Sequence, residues 1–129
     1  IPQDAGDPLS KILWLQKNEP EIWKITDRVM FYEDFFLRRF CGNAVVSPSL
    51  ASQTRMFDRK TNNWSDSILK TCAIDRNRLS PVAPLPGEKI GIMRAQLSHE
   101  LGIHHEIPLV NAGFQTSPSA CLEAARRVA

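Results

Sequence analysis

The stretch from Ile107 to Leu122 most constrains what this chain can fold into. Ile107 to Val110 is a short apolar run with β-branched residues, the pattern of a buried strand. Gly113 permits a tight turn or a close backbone approach. Ser117 suits a helix cap, and Pro118 suits the first helical turn, where its missing N–H has no partner to lose. Cys121, Leu122, Ala125 and Val128 then recur with a helical period. A strand that hands over to a helix through a glycine predicts a mixed α and β domain of the α/β type. Such junctions commonly carry catalytic groups, and their free backbone N–H groups favour an anion. The same unit is also the plain crossover found throughout α/β proteins, so these residues by themselves leave the function open.

The 129 residues are enough for one domain with a real core, and residues 1–129 are expected to form a single domain. Apolar residues at 43% and charged residues at 23% match globular proteins rather than disordered ones. A net charge of +2 is too mild, and Lys and Arg too scattered among acids, for a nucleic-acid partner. Cys41, Cys72 and Cys121 are far apart and odd in number, which suits free thiols in a reducing cytoplasm. They form no CxxC pair for zinc. No apolar run approaches the roughly 20 residues of a membrane helix, and the start shows no signal-peptide pattern. The chain begins at Ile1 and stops at Val128-Ala129 inside a helical pattern, so a fragment of a longer protein is expected.

Along the chain, Leu9, Ile12, Leu13 and Leu15 give an apolar helical face with Trp14 beside it. Pro20 interrupts or restarts this helix, and Ile22, Trp23 and Ile25 continue the spacing. The two tryptophans are expected in the core, a sugar platform being the alternative. Short strands are expected at Val29 to Tyr32 and at Ala44 to Val46, with a helix from Asp34 to Phe40 stopped by Gly42-Asn43. Pro48 is expected to break the second strand, and Leu50 to Phe57 to pair back across the turn. A polar loop, Asp58 to Asn63, leads to a helix capped by Ser65 with Ile68, Leu69 and Cys72 inward. Leu79 to Gly87 reads as a proline-rich connector. A strand at Lys89 to Ile92 and a helix from Arg94 to Leu101, with Leu97 and Leu101 on one side, end at Gly102.

The local chemistry is sparse. His99-Glu100 and His104-His105-Glu106 invite a metal, but the position four after His99 is Ile103, so no zinc-protease pair shares a helix face. No metal site is expected. No nucleophile elbow, P-loop or dinucleotide fingerprint is present.

The order of segments is more specific. Pro8-Leu9-Ser10-Lys11-Ile12-Leu13-Trp14-Leu15-Gln16-Lys17-Asn18-Glu19-Pro20-Glu21-Ile22-Trp23 resembles a segment of the FGGY family of carbohydrate kinases, where a helix reads roughly K-L-x-W-L-K-x-N-x-P-E. The helix with its Asp, Asp34 to Gly42, follows as it does there. Ser49, Ala51, Ser52, Thr54, Phe57 and Asp58 match the family's T-D-x-S-x-A-S-R-T-x-x-F-D stretch. Trp64 to Ile74, Leu79 to Gly91, and Leu97 to Val110 match the family's later segments. The resemblance implies part of an actin-like, ribonuclease-H-like fold, with this chain as the later part of the first of two domains. It implies a parent enzyme that moves phosphate from ATP, with Mg²⁺, to a sugar or polyol hydroxyl. The sugar and the remaining kinase domains would be the partners, with no nucleic acid and no membrane.

The resemblance also marks Gly113, Phe114, Gln115 and Thr116 as the substrate-binding stretch. The family has G-H-D or G-G-D there, its Asp being the general base. The best register puts Gln115 on that Asp and Phe114 on the neighbouring His; a register one residue off puts Phe114 on the Asp. Neither supplies an acid. Ser47, Leu50 and Gln53 replace the Asp, Asn and Arg of the earlier motif. The family's first phosphate-binding hairpin and its nucleotide-binding domain are missing from these residues. This chain by itself is therefore expected to bind no cofactor and to show no kinase activity. A catalytically impaired pseudokinase domain that binds a sugar or protein partner, or a structural module, are the alternatives.

Overall fold

Prolines set the helix boundaries in a computed structural model that describes residues 6–83, 87–103 and 106–111. Helix α1 runs Pro8–Asn18 and α2 runs Pro20–Ile25, each with proline in its first turn. Glu19 is the joint. Its N–H donates to the Leu15 carbonyl, and its own carbonyl accepts from Trp23 N–H. Leu9 and Ile12 of α1 enter the core. The expected burial of both tryptophans does not hold: Trp14 is 58% exposed. Helix α2 is six residues long, packs chiefly on α1 and buries no residue, so Ile22 and Ile25 also face outward. Trp23 is half-buried under the Arg78 guanidinium, which sits 4.7 Å from its ring centre.

Helix α3 spans Tyr32–Cys41. It starts two residues earlier than the sequence suggests because the Asp34 carboxylate accepts the Phe31 N–H at 2.7 Å. Gly42, at φ +88°, ends it in the left-handed conformation. Val29 and Val46 do not head full strands. Each makes a single parallel bridge, Val29 to Leu79 and Val46 to Val82. Pro81 offers a carbonyl to Val46 N–H but has no N–H to extend the ladder.

Pro48 opens a helix instead of breaking a strand. Helix α4 runs Pro48–Ser52 because Ser47 caps it, its hydroxyl accepting Leu50 N–H at 3.2 Å. The expected pairing of Leu50 to Phe57 gives way to a small hairpin, β1 (Phe57–Asp58) against β2 (Asn63–Trp64). Helix α5 (Asp66–Thr71) starts at Ser65 as expected, and a 3₁₀ turn covers Arg76–Arg78. Strand β3 (Lys89–Ile92) pairs antiparallel with β4 (Pro108–Val110) around helix α6 (Ala95–Glu100). The residue α6 buries is Ser98; of the expected apolar side Leu97 is half-buried and Leu101 is 58% exposed. Strand β4 is likewise no buried strand: Pro108 is exposed and Leu109 and Val110 are half-buried.

The core gathers Leu9, Ile12, Val46, Met56, Trp64 and Leu79 around their neighbours. Trp64 is its pivot. Its Nε1 donates to the Ser80 carbonyl at 2.8 Å, and its ring stacks on Phe31 at 6.2 Å. Helix α3 meets β3 so closely at Gly91 that an added Cβ would lie 2.9 Å from Cys41 Cβ.

Candidate functional site

The end of β4 is held up to Asn111, two residues before the Gly113–Thr116 stretch the sequence singles out. Val110 pairs with Lys89. Asn111 N–H donates to the Glu88 carbonyl at 3.1 Å, and the Asn111 carbonyl accepts Gly87 N–H at 2.6 Å. The Asn111 side chain is buried, with 2% exposure. Sequence reasoning passed over this residue. Gly113, Phe114, Gln115 and Thr116 lie outside the described residues, as do Ser117, Pro118, Cys121, His104 and His105.

A second polar site joins α3 to the start of α4. Ser47 stands where the resemblance places an Asp. Its Oγ donates to Glu33 Oε2 at 2.8 Å and its N–H donates to the same oxygen at 3.2 Å. A carboxylate is thus present at this spot, supplied by a different helix. Burial pushes the Glu33 carboxyl above the ordinary range, against the two Ser47 hydrogen bonds, and the neighbouring Asp34 pushes the same way. Leu50, at the motif's Asn position, is a core residue, and Gln53 is exposed at the end of α4.

Asp34 lies next to this pair and is fully buried. Ser80 Oγ donates to its Oδ2 at 2.6 Å, and Phe31 N–H to its Oδ1. Burial raises its carboxyl, and those hydrogen bonds oppose the rise. Both carboxyls therefore tether main chain and hydroxyl groups. The signal for Asp34 was its place three residues past the helix cap; the Glu33–Ser47 pairing has no sequence signal, being non-local. Among the described residues no three His, Cys, Asp or Glu side chains gather to hold a metal. Cys41 and Cys72 are free thiols. No described helix is long and apolar enough to cross a membrane.

The sequence model of the FGGY family of carbohydrate kinases, N-terminal domain, matches residues 1–121. The chain belongs to the FGGY family of carbohydrate kinases. It is 30% identical over 115 residues to the xylulose kinase of Lactococcus lactis, covering 89% of this chain and 23% of that protein. It is 25% identical over 116 residues to the L-fuculokinase of Haemophilus influenzae, covering 90% of this chain and 24% of that protein. The chain thus spans about a quarter of the length of these curated relatives. The ligand-bound xylulose kinase structure from Lactobacillus acidophilus superposes with a TM-score of 0.77 at 21% identity, over 83% of this chain and 22% of that one. Glycerol kinase from Plasmodium falciparum with ADP gives 0.67 at 22% identity, over 80% of this chain and 21% of that one. These likenesses place the mixed α and β architecture within the actin-like, ribonuclease-H-like fold of the FGGY kinases.

Proposed function

We propose that residues 1–129 are the later part of the N-terminal domain of an ATP-dependent carbohydrate kinase acting on a sugar or polyol in the cytoplasm. The observation that carries this reading is the FGGY match across residues 1–121. By the family resemblance, Mg²⁺ and ATP would be held by the rest of the parent. When bound, they supply the phosphoryl group that the sugar hydroxyl attacks. This chain's part is the sugar side, with Gly113, Phe114, Gln115 and Thr116 lining it. The tether of Asn111 to Glu88 and Gly87 supports a fixed starting point for that stretch.

At Gln115 the chemistry departs from the family. A carboxylate takes the proton of the attacking hydroxyl; an amide accepts a hydrogen bond but cannot hold a proton as a base. General-base catalysis contributes about 10²–10⁴-fold, so the parent turns over slowly while still binding its sugar. Gln115→Asp in the full-length parent, screened against sugars and polyols with Mg²⁺ and ATP, is expected to raise kcat with little change in sugar affinity. An unmodified parent that already runs at ordinary kinase rates, unchanged by Gln115→Asp, would sink the assignment. Gln115 also favours a second reading, a pseudokinase domain that binds a sugar or a protein. Sugar binding with no turnover in either form selects it.

A further inference from the structure

We propose that a recess beside Leu79–Val82 binds a small phosphate monoester, independently of the kinase reading. The recess has a volume of about 350 Å³, within the range of small-molecule sites. Leu79, Pro81 and Val82 give it an apolar floor, and Arg28, Asn63, Arg76 and Asn77 give it polar walls. Among the described residues, no carboxylate side chain lines it. Two guanidiniums line the recess, each paired with an exposed carboxylate beyond the lining, Arg28 with Asp27 and Arg76 with Asp66.

The walls are positioned by backbone. Arg28 precedes Val29, whose N–H donates to the Arg78 carbonyl at 2.8 Å. This bridge sets the Arg28 segment alongside Arg76–Leu79. Arg76 is oriented by Trp64, which also lines the recess, and by Asp66: its Nη1 donates to the Trp64 carbonyl at 3.4 Å and pairs with Asp66, whose side chain is 83% exposed. A guanidinium has five N–H donors, so this pairing leaves donors for a ligand. Arg28 meets Asp27 at 3.8 Å, and the Asp27 side chain is 95% exposed. Such a surface pair is weak and yields to a dianion. Arginine forks match phosphate oxygens in bidentate geometry, and a phosphate monoester carries close to two charges at neutral pH. The two asparagines offer donors and acceptors to hydroxyls on the organic part. The apolar floor favours an ester over inorganic phosphate.

The test is titration calorimetry on this chain with glucose 6-phosphate, inorganic phosphate and glucose. Saturable binding is expected for the ester, weaker binding for inorganic phosphate and none for glucose. Arg28→Gln, a surface change that leaves the core untouched, is expected to weaken ester binding about tenfold, the scale of one charge-assisted contact. Arg76→Gln, checked for folding by circular dichroism, is expected to do the same. Absence of saturation by either phosphate compound overturns the proposal, as does ester binding unchanged in both variants. Equal affinity for inorganic phosphate and the ester overturns the ester assignment.

Discussion

Asp34 ties the start of α3 to the Ser80 segment through a buried bond from Ser80 and a part-buried one from Phe31 N–H. Asp34→Ala leaves the buried Ser80 hydroxyl and the part-buried Phe31 N–H without this acceptor, at a cost of about 1–3 kcal/mol. Urea unfolding at neutral pH checks this; a loss under about 0.5 kcal/mol, the usual scale of surface changes, would contradict it. The sign of the pH dependence follows from the raised carboxyl. The ordinary Asp value is 3.8, and burial lifts the folded value above it. Between the two, the folded protein holds more protons than the unfolded chain. Asp34's contribution to stability therefore falls as pH rises through that window and is largest on the acid side. Glu33, also raised by burial, acts in the same direction. Asp34→Asn is expected to flatten the fall in urea midpoint above pH 3.8 without abolishing it, because Glu33 remains. Identical slopes for the two proteins would rule Asp34 out as a source.

The contact of α3 with β3 passes through Gly91, where an added Cβ would sit 2.9 Å from Cys41 Cβ and 3.0 Å from its Sγ. Gly91→Ala is expected to cost about 1–3 kcal/mol, the usual scale of overpacking. Cys41→Ala in the same chain is expected to restore only part, since its Cβ stays in place; full recovery in thermal unfolding would show that the sulfur made the whole clash. Elements defined by local chemistry were legible in the sequence. Pro20 and Ser65 mark helix starts with a ring or side chain acting within a turn, whereas Pro8, read as the end of an entry loop, is the first residue of α1. Pro48 misled because a proline both breaks strands and opens helices, and the Ser47 cap before it decides between the two. The bridges of Val29 and Val46 escaped because their partners lie far along the chain. The exposure of Trp14 and Leu101 escaped because apolar spacing tells which residues share a face, not what covers it. Of the candidate site, Gln115 was legible only through the family's motif, whereas the Asn111 tether and the Glu33–Ser47 pair needed coordinates.

At the scale of the molecule, the chain spans about a quarter of its curated relatives. Phosphoryl transfer depends on positioning and charge stabilisation around the nucleotide. The purified chain is therefore expected to produce no ADP in a sugar-dependent manner; ADP formation above contaminant level, co-eluting with the chain, would contradict this. The two parallel bridges carry a consequence for how the molecule assembles. Val29–Leu79 and Val46–Val82 each close a long loop before any contact rewards it. Helices α1 and α5 and the β1–β2 hairpin close short loops and form without waiting. The non-local bridges are expected to set the pace, with the docking of the Leu79–Ala83 segment between Val29 and Val46 as the slow step of folding and Trp64 and Asp34 locking onto Ser80 behind it.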